Sequence, residues 1–163
     1  MTMRTAHTPA NANRSPAVWI ATGGGVGNVP LAPGTVGSLI GAACSFPALG
    51  LDWPLYVALL CGLCLLAVFV TGRAAQTLGH PDPPVIILDE FVGMWCAVLL
   101  LTPSWYDLTA VFILFRIFDI VKPSPLPRLE RLPGGLGIVL DDVAAGLLAR
   151  GTWWLLQANF DFL

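Results

Sequence analysis

From Trp53 to Gly72 the chain runs for 20 residues without a charged side chain, bounded by Asp52 and Arg73. As an α-helix this stretch is roughly 30 Å long, about one hydrocarbon thickness. Pro54 falls in its first turn, where the missing backbone N–H is harmless. The segment therefore reads as a membrane span, and the remainder of the chain agrees. It is 56% hydrophobic and 11% charged, with a mean hydropathy of +0.76. Soluble domains carry about a quarter charged residues, so an ordinary aqueous surface is excluded. A length of 163 residues suits one domain.

Four further apolar helices are expected. Thr35 to Leu51 is rich in Gly, Ala and Ser, which favours close helix packing, and Pro47 should kink it or end it early. Phe91 to Thr102 is a third helix. Leu108 to Val121 is a fourth, interrupted by Arg116 and Asp119, and Val143 to Phe160 is a fifth, containing Arg150. The expected fold is all-α: a membrane-associated bundle of about five helices, multi-pass, in which the shorter helices cross only in part. Val85 to Leu88 is the one strand-like stretch, and it is too short to matter. Met1 to Pro16 reads as a disordered polar tail and residues 17–163 as a single helical domain. No basic segment leads into an apolar core and cleavage site, so no signal peptide is expected.

Several functions are excluded early. The net charge is −2 and the basic residues form no run that could track a phosphate backbone, which argues against nucleic acid. Cys61 and Cys64 have the spacing of a redox pair but lie in a continuous apolar run. They read as small packing residues, as do Cys44 and Cys96. His7 lies in the tail and His80 in a loop, and neither reads as a ligand.

If the five helices alternate in direction, Arg4, Arg14, Arg73, Lys122, Arg128 and Arg131 share one side, with Arg116 near it. The short loops opposite have no Lys or Arg, so the charged side is expected to be cytoplasmic. Trp53, Tyr56, Trp105, Tyr106, Phe160 and Phe162 would ring the opposite interface. The same alternation brings four sequence blocks to the cytoplasmic boundary, and those blocks carry the chemistry.

Half of the ten carboxylates sit beside or inside apolar stretches: Asp89-Glu90, Asp119 and Asp141-Asp142. Burying ionised groups is costly, and clustered like charges need a cation to hold them together. Oxygen ligands without a His or Cys set point to a hard cation, most simply Mg²⁺. One acid at a helix start is explained by the helix dipole, but two adjacent acids are not. Asp141-Asp142 reads the same way, as a paired acid following the glycine turn at Gly134-Gly135.

Arg116, Asp119 and Lys122 recur every three residues, one stripe of a helix that Pro123 should end. A structural ion-pair ladder is the plain alternative. In VGNVPLAPGTVGS (Val26 to Ser38) a loop runs into a helix that Thr35 or Ser38 could cap, with Gly34 beside free amides suited to an anionic oxygen. A simple turn and cap is the plain alternative there. The glycines from Gly23 to Gly27 miss the spacing of nucleotide-binding loops.

Four ordered blocks resemble the phosphatidylglycerophosphatase A family: APGTVGSL (Ala32 to Leu39), LDEFVGMW (Leu88 to Trp95), FRIFDIVKPSP (Phe115 to Pro125) and GGLGIVLDDVAAG (Gly134 to Gly146). The resemblance implies an all-helical enzyme of the bacterial inner membrane. Its activity is Mg²⁺-dependent removal of the terminal phosphate of phosphatidylglycerophosphate, leaving phosphatidylglycerol. Carried over, it marks Asp89, Glu90, Asp119, Asp141 and Asp142 as the acidic, metal-holding site. Arg116 and Lys122 would meet phosphate oxygens, with Glu90 taking the proton of an attacking water. Gly34, Thr35, Ser38, Lys122 and Gly135 would contact substrate. A small helical transporter, or a non-catalytic membrane protein with a buried acidic cation site, is the rival reading. Transporters more naturally show an internal repeat, and this chain has none.

Overall fold

The charge-free run becomes the longest helix of a computed structural model that describes residues 15–159. The helices are α1 (Pro16–Ala21), α2 (Pro33–Ala48), α3 (Trp53–Leu78), α4 (Leu88–Ala97), α5 (Trp105–Val121), α6 (Leu126–Leu129) and α7 (Gly135–Asn159). Among the described residues there is no strand, so Val85 to Leu88 is not one. The described residues are all-α, with seven α-helices where about five were expected, because α1 and α6 are too short to leave a periodic signal. Residues 1–14 of the expected tail lie outside the described residues, as do Phe160 and Phe162. Pro16 already opens α1.

α3 continues past Arg73 and stops at Gly79, whose φ of +70° suits glycine. Among the described helices it is the one long and apolar enough to cross a membrane, and 28% of its apolar stretch is buried. α2 ends directly after Pro47, three residues short of the expected Leu51.

The third expected helix requires a larger correction. α4 begins at Leu88 and ends at Ala97, and its ten residues make a rod of roughly 15 Å, half a hydrocarbon core. It is apolar because it is enclosed: Val92, Met94 and Ala97 are fully buried among α2, α3, α5 and α7. Its continuation to Thr102 is broken by a turn in which Leu100 has a φ of +56°.

The fifth expected helix also shifts. α7 begins at Gly135, so Asp141-Asp142 stand in its second turn and not at a helix start. Gly135 is helical because its bare backbone lies against α3, where a Cβ would overlap the Val68 carbonyl. α5 ends at Val121 as expected but begins at Trp105, three residues before Leu108. Ser104 Oγ accepts from the Asp107 amide at 3.3 Å at its start, and Lys122 closes it with a φ of +46° just before Pro123.

α4 and α7 cross at two glycines. A Cβ on Gly93 would stand 2.8 Å from the Asp142 carbonyl oxygen, and one on Gly146 would overlap the Gly93 carbonyl. This close approach places the second turn of α7 against the first turn of α4.

The opposite end of the bundle is pinned by polar contacts. Tyr56 does not join the interface ring, because it is 5% exposed and its hydroxyl donates to the Trp95 carbonyl at 2.8 Å. Trp53, Trp105 and Tyr106 are exposed, as expected. Arg150 donates from Nε to the Leu99 carbonyl at 2.6 Å and from Nη2 to the Leu100 carbonyl at 3.0 Å. It thereby caps the turn that ends α4.

Candidate active site

The approach to α4 is held rigidly. The Ile87 amide donates to the Ala21 carbonyl at 2.9 Å. A Cβ on Gly27 would overlap the Val85 carbonyl, and one on Gly37 would lie 2.8 Å from the Ile87 Cβ. The glycine-rich stretch is thus a packing device that fixes the residues immediately before Asp89.

Three carboxylates converge there. Asp89 and Glu90 in the first turn of α4 meet Asp142 of α7, each offering an oxygen within 4.8 Å of the others. Asp89 is 7% exposed and Asp142 4%. Asp89 Oδ1 and Glu90 Oε2 are buried without a hydrogen-bond partner. Burial, then the Glu90 charge, pushes the Asp89 carboxyl well above the usual carboxylate range. Burial also raises that of Glu90.

The other two predicted acids are each engaged by a cation. Arg116 Nη1 donates to Asp119 Oδ2 at 2.6 Å. Lys122 Nζ donates to Asp141 Oδ2 at 2.6 Å and stands 3.5 Å from Glu130 Oε1. Burial works against the Lys122 charge, but the hydrogen bond to Asp141 and the carboxylates around it prevail and raise its pKa. The ladder expected along α5 is therefore half present. Arg116 pairs with Asp119, while Lys122, released by the helix end, reaches across to α7.

The amino end of α2 closes another side of the site. Neither Thr35 nor Ser38 caps it, since the cap position is Ala32 with no side-chain bond. Ser38 is fully buried: its Oγ donates to the Gly34 carbonyl at 2.8 Å and accepts from Arg116 Nη1 at 3.1 Å. A Cβ on Gly34 would overlap Glu90 Oε1 and lie 3.5 Å from Arg116 Nη1. Gly34, Ser38, Glu90 and Arg116 therefore share one corner. Gly135 instead packs its backbone on Val68 and Gly72 of α3.

Glu130 belongs to this neighbourhood, and nothing in the sequence marks it. It stands in a polar loop after α6, where a lone acid carries no signal. It also lines a groove of about 660 Å³ between the end of α3, the loop at His80–Asp82 and residues 130–138. The carboxylate trio is not part of that lining, so the groove meets the site at its Glu130 edge.

Fold and site together define a small helical protein whose largely buried carboxyl trio is flanked by an arginine and a lysine, an arrangement suited to a cation and an anionic ligand. The chain belongs to the phosphatidylglycerophosphatase A family, whose model matches residues 19–157. Phosphatidylglycerophosphatase A of Escherichia coli K12 is 37% identical over 135 residues, 81% of this chain and 78% of that one. Its Haemophilus influenzae namesake is 39% identical over 134 residues, 80% of this chain and 82% of its own. A Bacteroides thetaiotaomicron relative, named provisionally as a phosphatidylinositol-3-phosphatase, is 39% identical over 151 residues, covering 83% of this chain and 93% of its own. No solved structure matches the chain at a significant level.

Proposed function

We propose that this protein is a Mg²⁺-dependent lipid phosphatase that hydrolyses phosphatidylglycerophosphate to phosphatidylglycerol and inorganic phosphate. The observation that carries the reading is the trio Asp89, Glu90 and Asp142, with unpartnered buried oxygens, beside Arg116 and Lys122 in a chain of this family.

The trio suits a Mg²⁺ ion. Its ligand atoms are all carboxylate oxygens lying within 4.8 Å of one another, Asp89 and Glu90 each carry an unpartnered oxygen, and a hard oxygen-only set of this kind is what Mg²⁺ takes. Asp89, Glu90 and Asp142 are the residues that would hold it. Bound there, the ion would offset the carboxylate charge against an approaching phosphate and polarise the phosphoryl group.

The remaining steps belong to the chain's own residues. Arg116, fixed at Nη1, presents its other nitrogens to phosphate oxygens as charge redistributes. Lys122, held by Asp141, adds a second positive charge at the same rim. Glu90 has two oxygens, one of them unpartnered, and accepts the proton of the attacking water. Asp119 and Asp141 orient the two cations. The groove along Glu130 leaves room for the rest of the headgroup.

The same reading places the protein in the bacterial cytoplasmic membrane as a multi-pass bundle, with its site facing the cytoplasm. Support comes from α3 and from large apolar side chains exposed on α5 (Ile113, Ile117, Ile120) and α7 (Leu147, Leu148, Trp154, Leu155). Arg73, Lys122, Arg128 and Arg131 fall in the segments that helix alternation assigns to one side. α4 is too short to span and serves as the buried core.

A second substrate, phosphatidylinositol 3-phosphate, is favoured by the name of the Bacteroides relative. Purified protein in detergent micelles, offered each lipid with Mg²⁺ or with EDTA, tests both. Phosphate release from phosphatidylglycerophosphate that stops in EDTA and returns with Mg²⁺ is expected. Release confined to the inositol lipid would move the substrate assignment, and no release from either lipid would favour the transporter or scaffold reading.

A further inference from the structure

Arg116 lies on α5 and Ser38 on α2, 78 residues apart in sequence, yet their side chains are hydrogen-bonded. Ser38 is fully buried, and its Oγ bonds only groups of the protein itself. Its hydroxyl proton is committed to the Gly34 carbonyl at 2.8 Å, which turns an oxygen lone pair towards Arg116 Nη1 at 3.1 Å. The same nitrogen donates to Asp119 Oδ2 at 2.6 Å. One contact would leave the guanidinium free to swing, whereas two acceptors on one nitrogen, from two helices, set its plane. Nε remains buried and without a partner on the other edge. A buried donor lacking an acceptor is uncommon and calls for a ligand. The absent side chain of Gly34 lets Glu90 pack against the helix backbone at this corner, beside Arg116 Nη1.

We propose that Ser38 is a positioning residue: through Nη1 it fixes the plane of Arg116 so that the Nε edge of the guanidinium meets the substrate phosphate. This rests on the phosphatase reading above. A guanidinium grips a phosphate through two parallel N–H bonds only when its plane is set, and a lysine ammonium has no plane to set. The role of Ser38 should therefore vanish once Arg116 is replaced by lysine.

The test is a double-mutant cycle of Ser38→Ala and Arg116→Lys in the full-length protein, with Ser45→Ala as control. Ser45 is fully buried on the same helix but bonds only the Ala42 carbonyl of its own turn, at 2.9 Å. In the Arg116 protein, Ser38→Ala should lower kcat/KM about tenfold, mostly in kcat, the scale of one hydrogen bond to a charged group. In the Arg116→Lys background the same change should cost less than about twofold, and Ser45→Ala should leave turnover unchanged. Equal losses in both backgrounds, or a Ser45→Ala loss matching that of Ser38→Ala at comparable melting temperatures, would overturn the proposal. Calorimetric titration with orthophosphate keeps the cycle readable if Arg116→Lys turns over too slowly. It also separates the two readings. A wild-type protein that binds orthophosphate with Ser38–Arg116 coupling but hydrolyses neither lipid would reject the phosphatase and retain the positioning role. Orthophosphate binding without coupling would reject the positioning role.

Discussion

Both ends of this bundle bury a charged group, and the two ends treat it differently. At the end near Trp105, Asp107 is 8% exposed and its Oδ1 accepts from Trp153 Nε1 and Gln157 Nε2, each at 3.0 Å. Arg150, close by, gives two nitrogens to backbone carbonyls and leaves only Nη1 without a partner. At the other end, Asp89, Glu90 and Asp142 gather with no arginine or lysine bonded to them among the described residues, where oxygens of the first two also lack a partner. A buried charge whose bonds are made holds a structure together. One whose bonds are unmade raises the free energy of the empty fold and is retained where something binds. On this comparison Asp107 has a structural part, and under the proposed function the trio has a binding one.

The sharpest way to break this contrast is to neutralise the trio. Asp89→Asn and Asp142→Asn should each lower phosphate release at least about 10²-fold, the scale of removing one pre-organised electrostatic contact. In chelator, neither should melt below the wild type, because relief of repulsion and desolvation offsets the lost charge. Turnover within a few-fold of wild type for either would remove its residue from the site. Asp107→Ala is the mirror experiment. Stranding the Trp153 and Gln157 donors should cost about 2–4 kcal/mol in a denaturation series while lipid turnover stays near wild type. An Asp107 variant that kept its stability and lost its activity would reverse the assignment of the two ends.

Gly93→Ala joins the two regions, since a Cβ there would press on the Asp142 carbonyl and the Phe115 ring. Overpacking of this kind costs about 1–3 kcal/mol and should also spread the trio and weaken turnover. Gly62→Ala on α3, where nothing lies within 4 Å, should do neither. The smallest change expected is Tyr56→Phe. It forfeits one buried hydrogen bond to the Trp95 carbonyl, about 1 kcal/mol by denaturation midpoint, with unaltered kcat/KM.

How far the site was legible follows from where each residue stands. Asp89-Glu90 and Asp141-Asp142 could be seen because paired acids beside apolar runs conflict with their surroundings. Lys122 could be seen leaving its helix because Pro123 follows it. Glu130 could not, because an acid in a polar loop conflicts with nothing. Ser38 was visible as a residue, but its role was not. A serine near a helix start reads as a cap, and only the packing of α2 on α5 turns its oxygen towards Arg116. The third helix was expected to run too far for a related reason: an enclosed apolar segment and a membrane-facing one have the same composition.

The amino-acid order alone determined that the chain is helical, apolar and sparsely charged, and that its charges collect in a few blocks, since periodicity and charge spacing are local properties. Which acids face one another was decided only in three dimensions. The crossing of α4 and α7 at Gly93 and Gly146 selects Asp142 for the trio and turns Asp141, its immediate neighbour, towards Lys122. Successive residues on a helix point about 100° apart, so the packing angle of two helices chooses between two side chains that look equivalent in the sequence.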